Sequence, residues 1–357
     1  MSEELAEKKI KTTTEQCPSC GSGVSFDAAS GQLKCSSCGS IKNFDREQGL
    51  EKHDYESGET ANNAEWSETT RTFQCKTCGA KVDIKGFDTT IKCPYCESLY
   101  VEEVKEWPNL KPDFVVPFKY GFKEIVDIFT KAAKKKFFAP SQFKKNIPSS
   151  SVKGYYVSSF MFDAETHSSY VGTVEHVYYT TDSNGNSHRH VQVLPIAGKR
   201  DDSFSNEIIS SSHFVTDKNL DSITPFSLDD AYRYNENFLR GYNAAHYAKS
   251  LDDCYLTFKS NMDKVIRNKI SSTYATDRIL TLSVDTLYED KKYTYALFPV
   301  YTFEFQYKGK QYLAYVNGQT GKLGRGVPIS GLKVFICVLI GLAIVAGIVV
   351  GVIMALK

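Results

Sequence analysis

The spacing of apolar positions changes character several times along the chain. Before residue 100 the runs are short and alternate. Val24-Ser25-Phe26 and Gln32-Leu33-Lys34, turned near Ser30-Gly31, predict a small hairpin, and Lys81-Val82-Asp83-Ile84 with Thr90-Ile91-Lys92 predict a second. Between Phe122 and Phe137 the period becomes helical: Phe122, Ile125, Val126, Phe129, Ala132, Ala133 and Phe137 form one stripe, with Lys123, Lys131, Lys134 and Lys135 outside it. Pro140 bounds that helix. Residues 154–195 are rich in Tyr, Val and Thr and predict strands. Ser227 with Asp230, and Ser250 with Asp253, have the spacing of helix starts; the second opens a stripe of Leu251, Cys254, Tyr255, Phe258, Met262, Val265 and Ile266, which makes Cys254 a core residue. Strands over Tyr293–Tyr307 and Gln311–Val316, turned at Lys308-Gly309-Lys310, close this region. From Val334 to Leu356, 23 residues carry neither charge nor proline. As a helix they reach about 34 Å, enough to cross a bilayer core.

The expected fold class is therefore multidomain. Residues 1–106 make a tandem β-ribbon module with an acidic linker, 107–330 a mixed α+β domain with a basic N-terminal helix, and 331–357 a transmembrane tail anchor.

Cysteine spacing explains the first module. Cys17/Cys20, Cys35/Cys38, Cys75/Cys78 and Cys93/Cys96 are four C-x-x-C pairs, and they form two copies of one pattern set 58 positions apart. Two such turns on a short hairpin close a tetrahedral Cys₄ shell, so each copy is expected to hold one structural zinc ion, two in all. Four thiolates leave no open coordination position, which excludes a catalytic metal. Disulfides are the competing reading. Met1 to Lys9 lacks the apolar core of a signal peptide, however, which predicts a reducing compartment. Iron in a rubredoxin-like shell is the other metal that Cys-Pro-x-Cys turns serve.

Other motifs yield less. A two-residue Asn184-Gly185 loop makes opposed positions sum to 369, pairing His176 with Val193 and His190 with Tyr179. His176 then points away from His188 and His190, and the three cannot share an ion. Gly318-Gln319-Thr320-Gly321-Lys322-Leu323 lacks the Gly and the Ser or Thr of a phosphate loop, and no hydrolase or dinucleotide signature occurs, so no catalytic residue is expected.

Charge qualifies the partners. The chain has 43 Lys+Arg and 42 Asp+Glu, a formal +1, which excludes a strongly basic nucleic-acid coat. That neutrality is a cancellation: residues 1–106 carry 13 basic and 19 acidic groups, and residues 107–153 carry 10 and 3. An acidic ribbon module repels phosphate, so a protein partner is expected ahead of nucleic acid. The basic helix suits an anionic surface, either the inner leaflet or the ribbon module. Lys322, Arg325 and Lys333 precede the final span and Lys357 alone follows it. By the positive-inside tendency this is a single-pass cell-membrane protein with its N-terminal domains cytoplasmic. Within residues 334–356, Ala343, Gly347, Gly351 and Ala355 recur every four positions and suit a homodimer.

The assembled features resemble a family of bacterial membrane proteins with tandem transcription-factor-B-type zinc ribbons, a mixed domain and a C-terminal span. Besides the cysteines, the resemblance rests on Phe137-Phe138-Ala139-Pro140 with Phe143-Lys144-Lys145, and on Gly154-Tyr155-Tyr156-Val157 with Phe160-Met161-Phe162-Asp163-Ala164. It also rests on Pro299-Val300-Tyr301 with Val316-Asn317-Gly318-Gln319-Thr320-Gly321-Lys322. The family implies no settled activity. Some members are described as replication-restart helicases, but the nucleotide-binding motifs that activity needs are absent here. Glu97 stands where the ribbons usually place Gly after the last cysteine. The reading is a membrane-anchored zinc-ribbon scaffold that binds protein and is not an enzyme; the alternative is a membrane-tethered nucleic-acid binder.

Overall fold

A computed structural model of the chain describes residues 12–13, 16–61, 71–74, 81–84, 90–92, 99–102, 110–145, 147, 151–183, 185–212, 214–245 and 247–355. In chain order its first elements are β1 (Thr12–Thr13), β2 (Val24–Asp27), β3 (Gln32–Cys35), β4 (Ile41–Lys42), β5 (His53–Asp54), α1 (Tyr55–Ala61), β6 (Arg71–Gln74), β7 (Lys81–Ile84), β8 (Thr90–Lys92) and β9 (Leu99–Glu102). Then come β10 (Phe114–Val115), α2 (Phe122–Lys135), α3 (Ser141–Lys145), β11 (Ser151–Thr181), β12 (Ser187–Ser210) and α4 (Asp217–Ile223). The last are β13 (Tyr232–Arg233), β14 (Asn243–Ala244), α5 (Leu251–Thr273), β15 (Arg278–Tyr307), β16 (Lys310–Asn317) and α6 (Gly331–Ala355).

A mixed eight-stranded sheet runs β12-β11-β15-β10-β13, with β5 and β16 also on β15 and β14 on β11. Its centre is apolar on both faces, which is why Tyr155–Phe162 and Tyr293–Phe303 read as nearly continuous apolar runs rather than alternating ones. Tyr156, Phe160, Phe162, Tyr295, Tyr301 and Phe303 pack to one side with Ile125, Phe129 and Ala133 of α2 and Cys254, Phe258 and Ile266 of α5. Val157, Met161, Ala296, Phe298 and Val300 pack to the other side with Leu220 and Ile223 of α4. The stripe and the capping box of α5 are as expected: Ser250 accepts from Asp253 N, and the Asp253 carboxylate accepts from Ser250 N. Cys254 is fully buried, and burial pushes its thiol up to about 12. The expected Ser227 helix is only a single 3₁₀ turn, Leu228–Asp230, because Ser227 makes no side-chain cap.

Strands β11, β12 and β15 extend past this centre as a three-stranded arm. Near the centre β11 and β12 pair in the expected register, Phe160 with Ile209 and Phe162 with Glu207. A bulge between Phe162 and Ala164 then moves the pairing by one residue, so that His176 faces Gln192 and His190 faces Tyr178. Asp163 accepts from Asn206 N at the bulge, where Asn206 takes φ 58°. At the tip Asp182 closes the loop: its carboxylate accepts from Asn186 N at 2.9 Å, and its amide donates to Asn186 O. The sequence-based separation of the histidines is therefore overturned, and His176, His188 and His190 share one face.

Residues 16–46 form the first ribbon, which docks on the sheet domain through aromatic rings. Phe26 stands 5.2 Å from Phe238 and 6.5 Å from Tyr242, Phe44 stands 5.1 Å from Phe238, and Phe26 N donates to Arg240 O. Composition predicts a linker in the acidic stretch that follows. Instead β5 pairs with β15, Thr294 donates to Glu51 O, and Tyr55 is buried with its ring 4.3 Å from Tyr255. In the second copy the expected strands are present, and among the described residues β7 pairs with β6 and β8 with β9.

Helix α6 is exposed along its length, and its Gly331–Val352 segment has a mean hydropathy of 3.0. It is long and apolar enough to cross a membrane. Its base is fastened to the α2–α3 turn: Ser330 N donates to Phe138 O, and the Lys333 ammonium donates to Phe137 O and, at 2.7 Å, to Ala139 O.

Candidate metal centre

Two turns of identical construction build the site. Cys17-Pro18-Ser19-Cys20-Gly21-Ser22 leads into β2, and Cys35-Ser36-Ser37-Cys38-Gly39-Ser40 leaves β3. In each, the first cysteine's amide donates to the serine carbonyl five residues on, and the glycine amide donates back to the first cysteine's carbonyl. The chain can double back so tightly because Gly21 and Gly39 sit at φ +72° and +75°, the left-handed region that costs glycine nothing. Pairing of Val24 with Cys35 across the hairpin brings the two turns face to face.

The four sulfurs converge, all within 4.8 Å of one another. Cys17 Sγ is 3.6 Å from Cys38 Sγ, and Cys20 Sγ is 3.5 Å from Cys35 Sγ. A tetrahedron of thiolates about 2.3 Å from a central ion has edges of about 3.8 Å, whereas a disulfide needs about 2.0 Å. The donor set thus fits a four-coordinate metal and does not fit disulfides. An ion bound there cross-links the two turns. Cys17 and Cys35 are buried against the Phe26–Phe238 cluster, while Cys20 and Cys38 face solvent.

Ser40 escaped notice in the sequence. Its hydroxyl lies 2.9 Å from Cys17 Sγ and 3.1 Å from Cys38 Sγ. Hydrogen bonding by Ser40, with the backbone at Ser19, lowers the Cys17 thiol to about 5, and Ser40 lowers Cys38 as well. These sulfurs are thereby held toward the thiolate form that binds metal. The available signal was the Gly-Ser that follows both pairs in the first copy, Gly21-Ser22 and Gly39-Ser40, and is missing from the second.

Cys75, Cys78, Cys93 and Cys96 lie outside the described residues. Among the described residues the four cysteines of the first copy are the group that brings metal-ligating atoms together. The arm histidines are engaged separately despite their common face: His176 with Asp277 at 2.6 Å, His188 with Asp182 at 3.1 Å and His190 with Thr180 at 2.7 Å. The Tyr178 ring stacks between His176 and His190. A groove of about 530 Å³ beside β11 and β16 is lined, among the described residues, by Lys153, Tyr155, Asn243, Glu304 and Tyr312.

No protein-family model matches the chain, and no solved structure matches it. Over 233 residues it is 26% identical to the uncharacterized protein YdjG of Bacillus subtilis (strain 168), an alignment that covers 63% of this chain and 66% of that protein, slightly under two thirds of its length.

Proposed function

We propose that the chain is a membrane-anchored scaffold that binds protein and carries out no catalysis, held by zinc in its ribbons with its N-terminal domains in the cytoplasm. The arm carries this reading. On its face turned away from α5, Val171, Tyr179, Val191, Val193 and Leu287 are 47–65% exposed. Apolar side chains exposed along one face of a sheet on a soluble surface suit contact with another protein. Zinc at Cys17, Cys20, Cys35 and Cys38, and a second ion at Cys75, Cys78, Cys93 and Cys96, would staple the small module that cannot build a large core.

Crosslinking with mass spectrometry on the detergent-extracted chain tests the scaffold reading. A partner captured by wild type and lost in Tyr179→Glu/Val193→Glu supports it; identical capture by that variant overturns it. Salt-sensitive oligonucleotide binding by the full chain would favour the nucleic-acid alternative. Self-association through Gly347 and Gly351 is tested by crosslinked dimer yield, which Gly347→Leu with Gly351→Leu should abolish.

A further inference from the structure

We propose that the Lys131–Lys145 segment is a docking surface for anionic lipid headgroups, set against the leaflet that α6 enters and wedged there by Phe137 and Phe138. The inference rests on α6 crossing a bilayer.

Three observations converge on this surface. The first is attachment. The hydrogen bonds from Ser330 and Lys333 join the turn after α2 to the first turn of α6, so whatever surrounds the base of that helix also meets this turn. The second is apolar exposure at the joint. Phe137 is 67% exposed and Phe138 43%, packed edge to face at 5.1 Å. Ile329, just before α6, and Leu332, in its first turn, are 70% and 68% exposed. Four large apolar side chains open to water at one place are costly, and the same four at the edge of a hydrocarbon layer are not.

The third observation is charge. Six lysines and no carboxylate lie between Lys131 and Lys145. The Lys136 ammonium is used by Leu323 O. Lys131, Lys134, Lys135 and Lys145 are exposed and form no ion pair among the described residues. The carboxylates of α2, Glu124 and Asp127, lie in its first half, and Glu124 caps Gly121 N. A lysine cluster beside a span is the arrangement that anionic leaflets attract.

The chain's own first ribbon is the competing occupant, and geometry disfavours it. The first ribbon docks at Phe238 and Tyr242, and Tyr242 stacks on Phe122 at the start of α2. The lysines cluster at the other end, about 20 Å away along a helix of this length.

The test uses the full chain reconstituted in nanodiscs of mixed phosphatidylcholine and phosphatidylglycerol. Wild type should retain phosphatidylglycerol above its bulk fraction on mild detergent extraction. Lys131→Gln/Lys134→Gln/Lys135→Gln/Lys145→Gln should weaken that retention at least about tenfold. In a second arm, Phe138→Trp adds emission that lipids brominated near the top of the acyl chain should quench and aqueous iodide should not. Equal lipid retention by the lysine variant, or iodide quenching of the new tryptophan, overturns the docking surface. Alkaline carbonate extraction separates the two failures. A resistant chain with either result loses the surface alone, whereas release of wild type by carbonate removes the span and the surface with it.

Discussion

Replacing Phe26 by alanine tests whether the four-cysteine ribbon and the large sheet unfold as one body. Phe26 is 5% exposed, and its ring meets Phe44, Phe238 and Tyr242 at 6.3, 5.2 and 6.5 Å, the last two belonging to the sheet domain. Truncating a buried Phe costs about 3–5 kcal/mol once the residual cavity is included. Of this, about 0.5–1.5 kcal/mol should appear as coupling to Phe238 in a double-mutant cycle with Phe238→Ala, the size measured for aromatic pairs. For a unit of this size each kcal/mol moves the midpoint by about 2–4 °C, so the sheet should melt about 10 °C lower in Phe26→Ala. The assay is thermal unfolding of the detergent-solubilised chain, followed by far-UV circular dichroism, which the sheet dominates. In parallel, a chelator should lower the same transition in wild type and lower it less in Phe26→Ala, because the docking that transmits metal binding is already weakened. If the sheet transition moves by less than about 2 °C, ribbon and sheet melt independently and the aromatic contact contributes nothing to either.

Three further outcomes follow from described geometry. Cys35→Ser, on the buried side of the four-sulfur cluster, should remove one equivalent of bound metal per chain by inductively coupled plasma mass spectrometry, and an unchanged count would remove the site. Gly326→Ala places a methyl group against the carbonyl oxygen of Leu313 at φ +102°, so a loss of about 2–4 kcal/mol in denaturant unfolding is expected; a change under about 0.5 kcal/mol would contradict the packing at β16. The hydrogen bond that His167 Nδ1 donates to the Asp201 carboxylate raises the imidazole's pKa, so the stabilisation it brings is complete below the usual value and fades as pH rises through the elevated one. Asp201→Asn should lower the His167 midpoint in an NMR titration, and an unmoved midpoint would discard the pair.

Local signals were legible where local chemistry fixes the outcome. The four cysteines of the first copy, the capping box at Ser250 and the apolar run of α6 each depend on neighbours a few residues away, and each is found where the pattern put it. What the pattern could not supply were choices made by distant or solitary side chains. One carboxylate, Asp182, selects the tip loop, and one bulge at Asp163 absorbs the offset, so a correct register near the sheet centre becomes the wrong one at the histidines. Residues 47–58 are acidic and look solvated, yet their backbone joins β13 and β15, a pairing encoded mainly by the partners' open edges. Phe137 ends the amphipathic stripe by its spacing, yet it is exposed. It lies beyond the last turn of α2, where the stripe has no sheet to meet.

The joint between β16 and α6 decides how the molecule can move. Tyr315 N donates to Arg325 O, Gly324 N to Tyr315 O, and Ser330 N to Phe138 O, so the connecting segment is hydrogen-bonded down both sides rather than free. A tethered domain on a loose stalk would sample every orientation above its anchor. Here rocking of the helix must carry the domain with it, and the arm, nineteen residues of β11 from Asp163 to Thr181 or about 60 Å of strand, multiplies small changes in tilt into large sweeps at its tip. With α6 in a bilayer, as proposed, any change in its tilt would be carried to the far end of the arm.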